Sequence, residues 1–145
     1  MKYFSIAELC RSDIARQYGI NNTPNQEQID NLTLLINKVL DPLREAYGKP
    51  IYVTSGFRSV ALNSHPKIKG VLTSQHLQGQ AADIVVYVKD ADGNKVVSKE
   101  ENRKLFNLAQ ELHLPFDQLI DEYRFKWIHI SYSKSRCRRQ IIYKR

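Results

Sequence analysis

The sequence predicts a single α+β domain over residues 1–145, a mostly antiparallel sheet with helices packed on one side. Three observations carry that expectation. Ile29, Leu32, Leu35, Ile36, Val39, Leu40 and Leu43 recur at three- and four-residue steps, which draws one apolar face along a helix. Short β-prone runs bounded by turn residues gather in the second half, at 83–88, 118–122, 127–132 and 140–143. Two of them, 118–122 and 127–132, are separated by four residues, a hairpin-loop length. Helices grouped apart from hairpin strands argue an antiparallel α+β sheet rather than alternating parallel units. At 145 residues such a chain buries a core without staples.

Taken in order, residues 1–20 read as a short amphipathic helix that Ser5 caps, with Glu8 completing a capping box and Gly19 as a stop. The run 21–25, Asn-Asn-Thr-Pro-Asn, is a turn. The long helix covers about 26–47; Pro42 should kink it, and Gly48 and Pro50 end it. Residues 51–55 form a strand feeding a tight turn at Gly56, and 60–73 are read as irregular. A strand follows over 83–88, then a protruding turn at 90–94 that lacks the ligand pattern of a calcium-binding hand. Ser98 and Glu101 open a second helix running to about Leu112. The hairpin and a last edge strand at 140–143 complete the chain.

Composition narrows the class. Hydrophobic content of 42% and charged content of 26% belong to a soluble globular protein. No stretch approaches the apolar length of a membrane span. The N-terminus lacks the apolar core of a signal peptide, so synthesis in the cytoplasm is expected. Cys10 and Cys137 share no short spacing with each other or with a histidine, so neither a disulfide framework nor a zinc knuckle is expected. The net charge of +7 points to an anionic partner.

The chemistry centres on Ser74-Gln75-His76-Leu77-Gln78-Gly79-Gln80-Ala81-Ala82-Asp83. It sets an imidazole and a carboxylate seven residues apart, on a loop running into a strand. These are ligands for a first-row metal, and catalytic zinc takes three protein ligands plus water. Among the other histidines, His65 sits in a loop before Pro66 and His113 at a helix end. His129 lies mid-strand, where alternation sets Trp127, His129 and Ser131 on one face, with Ile128 and Ile130 on the core face. A four-residue hairpin loop would pair Glu122 with Trp127 and Ile120 with His129. Glu122 then becomes the diagonal neighbour of His129, within reach of a metal-activated water. A one-residue slip would give that position to Asp121 instead. Arg58, just past a strand end, is the cation best placed for a substrate carboxylate or a developing oxyanion.

Several motifs together resemble a known family. Ser55-Gly56-Phe57-Arg58-Ser59, Asn63, the Ser74-x-His76-x-x-Gly79-x-Ala81-x-Asp83 run and Trp127-x-His129 are similar to the zinc D-alanyl-D-alanine carboxypeptidase-like metallopeptidases. The likeness is to the compact bacterial and phage branch that includes L-alanyl-D-glutamate endopeptidases. The zinc site is shared with lysostaphin and the sonic hedgehog amino-terminal domain. The resemblance covers nearly the whole chain and implies the hedgehog/D-Ala-D-Ala-peptidase-like fold.

It also implies His76, Asp83 and His129 as ligands of one Zn2+ per chain, Arg58 as substrate- or oxyanion-binding, and Ser74 as a hydrogen-bond donor beside the site. The implied substrate is a peptidoglycan stem peptide, cut by a carboxypeptidase or an endopeptidase. One departure stands out. Carboxypeptidase relatives place the catalytic acid three residues before the last histidine, where this chain has Lys126. The compact branch closes the preceding strand with an acid, here Glu122.

Two rival readings stay open at this point. One is a zinc-containing binding domain without catalysis. The other is a nucleic-acid-binding protein using the basic run Lys134-Ser135-Arg136-Cys137-Arg138-Arg139. A peptidase is expected to act as a monomer and to meet the wall after lysis or holin-dependent release.

Overall fold

The structure is a computed structural model describing residues Met1–Arg145. Two short helices, α1 (Ile6–Cys10) and α2 (Asp13–Gln17), precede a long helical arm. The arm consists of α3 (Gln26–Leu35), a π-helical turn (Ile36–Leu40) and α4 (Asp41–Tyr47). Strand β1 (Tyr52–Ser55), the single turn α5 (Val60–Asn63) and a 3₁₀ turn (Gln75–Gln78) lead to β2 (Ala81–Val85). The hairpin β3 (Tyr87–Lys89) and β4 (Lys95–Val97) stands apart as a two-stranded sheet. Helix α6 (Lys99–Glu111) and strands β5 (Gln118–Glu122), β6 (Trp127–Ser131) and β7 (Gln140–Lys144) follow.

The main sheet runs in the order β1-β2-β6-β5-β7. Its pairs are antiparallel except β5–β7, which is parallel because the chain crosses back after β6 before laying down its last strand. Alternation along the strands gives the sheet two faces of different use. Val53, Ala82, Ile84, Leu119, Ile128 and Ile130 turn toward the helices. There they meet Leu32, Leu35, Leu40 and Leu43 of the long arm and Leu105 and Phe106 of α6. Each such fully buried side chain contributes on the order of 1.5–3 kcal/mol. Asp83, Ile120, Glu122, Trp127 and His129 occupy the opposite face and line an open cleft. The α+β class, the mostly antiparallel sheet and the helices on one side are as the sequence predicts.

Four local details differ from the expectation, each for an identifiable reason. Residues 1–20 form two helices, because Leu9 and Cys10 give their carbonyls to other partners. Leu9 O accepts from Phe57 N at 2.8 Å, and Cys10 O accepts from Asn22 Nδ2 at 2.8 Å. Ser12 then caps the second helix by accepting from Ala15 N. Pro42 is absorbed by the π turn just before it, in which Asp41 N donates to Ile36 O. This widened turn accommodates a residue with no N–H to give. Within 60–73, read as irregular, Ser59 caps the turn Val60–Asn63. The expected strand 83–88 is two strands in two sheets: β2 starts at Ala81, since Ala81 and Ala82 pair with Ser131 and Ile130, and β3 departs to pair with β4.

Asn102 of α6 is fully buried and joins the sheet to the β5–β6 hairpin. Its Oδ1 accepts from Val86 N at 2.9 Å, and its Nδ2 donates to Phe125 O at 2.8 Å. Asn102→Ala leaves both backbone groups unpaired and is expected to cost about 2–4 kcal/mol. Urea denaturation checks this; a loss below about 1 kcal/mol contradicts the assigned role.

Candidate metal centre

Strand register builds two-thirds of the site. Asp83 of β2 and His129 of β6 are direct cross-strand partners on the cleft face, and Asp83 Oδ1 lies 3.1 Å from His129 Nδ1. His76 arrives from the 3₁₀ turn with its Nε2 3.4 Å from the same oxygen. Ser74 caps that turn by accepting from His76 N at 3.2 Å. Gln28 Nε2 and Asn31 Nδ2 pin it to α3 through the carbonyls of Leu77 and Gln78. Gly79 ends the turn at φ +71°, and a Cβ there would stand 2.6 Å from Gln28 O, so only glycine fits.

The donor set fits a divalent first-row metal. The ligand atoms of His76, Asp83 and His129 lie within 4.8 Å of one another. Zinc bonds of about 2.0 Å at tetrahedral angles separate neighbouring ligand atoms by about 3.3 Å. The two histidine–carboxylate distances, 3.4 and 3.1 Å, match that spacing. The His76 ring is held in a ligating orientation. Its Nδ1 lies 2.7 Å from Gly56 O, so it donates there and leaves the Nε2 lone pair toward Asp83. Burial pushes the His76 imidazole toward its neutral, ligating form, against the pull of Asp83. For Asp83, burial pulls upward, but His76 and His129 outweigh it and hold the carboxyl well below its ordinary range. Three such donors would leave a coordination position for water or substrate, as catalytic rather than structural zinc sites do.

Arg58 is fixed beside this cluster by a loop tied to both α1 and His76. Phe57 N donates to Leu9 O, and Arg58 N donates to His76 O at 3.1 Å. A Cβ on Gly56 would stand 2.2 Å from Leu9 O, so the loop can approach α1 only with glycine there. The guanidinium donates from Nε to Ser55 Oγ and from Nη1 to Asn63 Oδ1, both at 3.0 Å, with Nη2 3.8 Å from Asp83 Oδ2. Burial lowers the proton affinity of Arg58 and Asp83 opposes it; the group stays cationic. Ser55 is aimed by a β-bulge. Val53 pairs with Ile84, yet Ser55, not Thr54, stands opposite Asp83.

The hairpin decides between the two acids. Glu122 pairs with Trp127 and Ile120 with His129, the register a four-residue loop predicts. Glu122 therefore shares the cleft with His129, whereas Asp121 points the other way and is fully buried. Asp121 holds the loop instead. Tyr123, Arg124 and Phe125 all have positive φ (55°, 59° and 64°), and Asp121 Oδ1 accepts from Phe125 N at 2.6 Å. Arg145 Nη2 lies 3.1 Å from Asp121 Oδ2, off the hydrogen-bond line, so it serves as a charge contact. Burial pushes the Glu122 carboxyl up, and Lys144, 3.8 Å away, works against that shift.

The cleft between these groups encloses about 660 Å³ and includes Arg58, Ser74, His76, Asp83, Glu122 and His129 among its lining residues. All six residues singled out from the sequence come together there. Ser55 and the Gly56 carbonyl, which fix Arg58 and His76, have no role assigned from the sequence; their signal there is membership of the Ser55-Gly56-Phe57-Arg58-Ser59 motif. Asp117 was also missed. It is fully buried, accepts from Gln75 Nε2 at 3.0 Å and from Arg138 Nε at 2.7 Å, and so ties the turn carrying His76 to the basic tail. The remaining histidines stand elsewhere: His65 packs on Tyr18, and His113 follows the end of α6. Cys10 and Cys137 are free thiols. No helix is long and apolar enough to cross a membrane.

No curated protein matches the chain. The family model described as Peptidase M15 matches residues 2–131, which takes in both short helices, the long arm, the loop of Arg58 and every residue of the His-Asp-His cluster. The chain belongs to the peptidase M15 family, the zinc D-alanyl-D-alanine carboxypeptidase-like metallopeptidases.

Proposed function

We propose that residues 1–145 form one zinc peptidase domain that hydrolyses amide bonds in peptidoglycan stem peptides, with one zinc per chain held by His76, Asp83 and His129. The observation that carries this reading is the convergence of two imidazoles on one carboxylate oxygen, at 3.1 and 3.4 Å, with Glu122 and Arg58 in the same cleft. Family membership supports the zinc and the peptidase class. Glu122, a buried carboxylate in the same cleft as these ligands, favours a hydrolase over a purely zinc-binding domain.

Zinc bound there supplies Lewis acidity, which activates water and polarises the scissile carbonyl. The chain's own groups do the rest. Glu122 takes the proton of the attacking water and returns it to the leaving amine; its raised proton affinity suits both transfers. Arg58, held in a fork by Ser55 and Asn63, binds the substrate carboxylate or the oxyanion without reorganising. The Ser74 hydroxyl accepts one bond from His76 N and keeps its proton to donate to a substrate carbonyl. Residues Arg136 and Arg138 of the basic tail line the same cleft, so their charge stands at the site rather than on a separate surface.

Digestion of a defined muropeptide, with products weighed by mass spectrometry, tests the reading. Release of a new amine that stops with a chelator and returns with zinc is the expected result. Glu122→Gln should lower kcat by about 10²–10⁴-fold with zinc content unchanged. Full activity in that variant contradicts the base assignment. The pH dependence provides a separate check. Glu122 must be ionised to act as base, and Lys144 lowers its proton affinity. Lys144→Gln removes that cation, so the acid limb of kcat should move to higher pH; a limb that stays put or moves down contradicts it.

A further inference from the structure

The roles proposed for His76, Asp83, His129, Glu122 and Arg58 leave the apolar surface of the cleft unused, and most of that surface lies in one place. Of the five hydrophobic residues lining the cleft, Ile120, Tyr123 and Trp127 belong to the β5–β6 hairpin that carries Glu122. Register sets their arrangement. Ile120 pairs with His129 and Glu122 with Trp127, so on the cleft face Glu122 has Ile120 two residues before it and Trp127 across from it. Tyr123 comes next in the chain. Its ring meets that of Trp127 edge to face, with centroids 5.4 Å apart and planes at 65°. The two rings make a corner beside the proposed base.

The backbone holds this corner under strain. Tyr123, Arg124 and Phe125 all adopt left-handed φ, a region a bulky side chain enters only under constraint. Phe125 gains burial from it, since its ring packs on Phe106 against the core. Tyr123 gains little: it lines the cleft and stays 40% exposed, touching the Trp127 ring and a lysine, Lys144, 5.7 Å from its centroid. A large exposed aromatic in a strained conformation is the pattern of a side chain kept for a ligand rather than for packing. We propose that Tyr123 and Trp127, with Ile120, form an apolar subsite that receives a C–H face of the substrate beside the cut amide. Glu122 must come within hydrogen-bond reach of the water and the leaving amine, so groups flanking that amide lie next to the rings. An aliphatic side chain and a sugar ring both offer such a face, and aromatic rings favour it by taking apolar area out of water. The assignment rests on the hydrolase reading for the place of the cut amide and adds what is recognised next to it.

Two substrate pairs test this: stem peptides with alanine or glycine beside the cut amide, and one stem peptide with or without its attached sugar. The group that the corner takes should lower KM about fourfold or more, and the pair that shows the advantage identifies the source. Trp127→Ala should lose the advantage and Trp127→Phe should keep most of it. Tyr123→Gly should also lose most of it, while its urea midpoint stays at or above that of the parent, because glycine adopts a φ of 55° without strain. Rings that serve packing alone give the reverse, a lower urea midpoint with the preference intact, and that result overturns the subsite. A parent that shows no preference in either pair overturns it too. Calorimetric binding of the same peptides to zinc-loaded Glu122→Gln protein reads the preference without turnover. A preference there with no hydrolysis by the parent counts against the hydrolase reading and for the subsite; hydrolysis by the parent with no preference in binding counts against the subsite alone.

Discussion

The site depends on one carboxylate oxygen. Asp83 Oδ1 faces His76 and His129 at once, and Asp83 Oδ2 faces Arg58. A carboxylate that is only 9% exposed is stable in its ionised form because these three groups surround it. Everything that sets Asp83 in place therefore sets the site: the β2–β6 register, the bulge in β1, and the turn that delivers His76. The same contacts hold the donor atoms near a ligating separation.

The sheet makes this possible by dividing labour between its faces. Ser55, Asp83, His129 and Ile120 form one row across four strands, through successive cross-strand pairs. The adjacent residues Ile84, Ile128 and Ile130 point into the core and are fully buried. Rigid packing behind the sheet thus fixes the positions of polar groups in front of it, which is how a small domain holds ligands to within tenths of an ångström. The strained end of the hairpin belongs to the same design. Three consecutive residues in left-handed conformation cost about 1–2 kcal/mol each. Asp121 and Asn102 offset that cost while Glu122 is turned into the cleft.

Much of this was legible in the sequence because it rests on period and spacing. Alternation in 127–131 separated His129 from Ile128 and Ile130, and the four-residue loop gave the pairing that distinguishes Glu122 from Asp121. The long helix declared itself by its apolar face. What stayed hidden depends on contacts between distant residues. Nothing near Leu9 announces that its carbonyl belongs to Phe57, so the break between the first two helices could not be read. Nothing near Asp117 announces Gln75 and Arg138 as partners. The basic run 134–139 suggested phosphate binding when read alone; folded, it sends Arg138 to a buried carboxylate and Arg136 to the cleft.

The central claim is that His76, Asp83 and His129 together hold the catalytic metal, and metal content tests it most directly. Native mass spectrometry of the parent after zinc loading and dialysis should find one zinc per chain. Asp83→Ala, which removes the oxygen both imidazoles face, should retain none while keeping the far-ultraviolet circular dichroism of the parent. A parent without zinc, or a folded Asp83→Ala protein that binds zinc as tightly, contradicts the account.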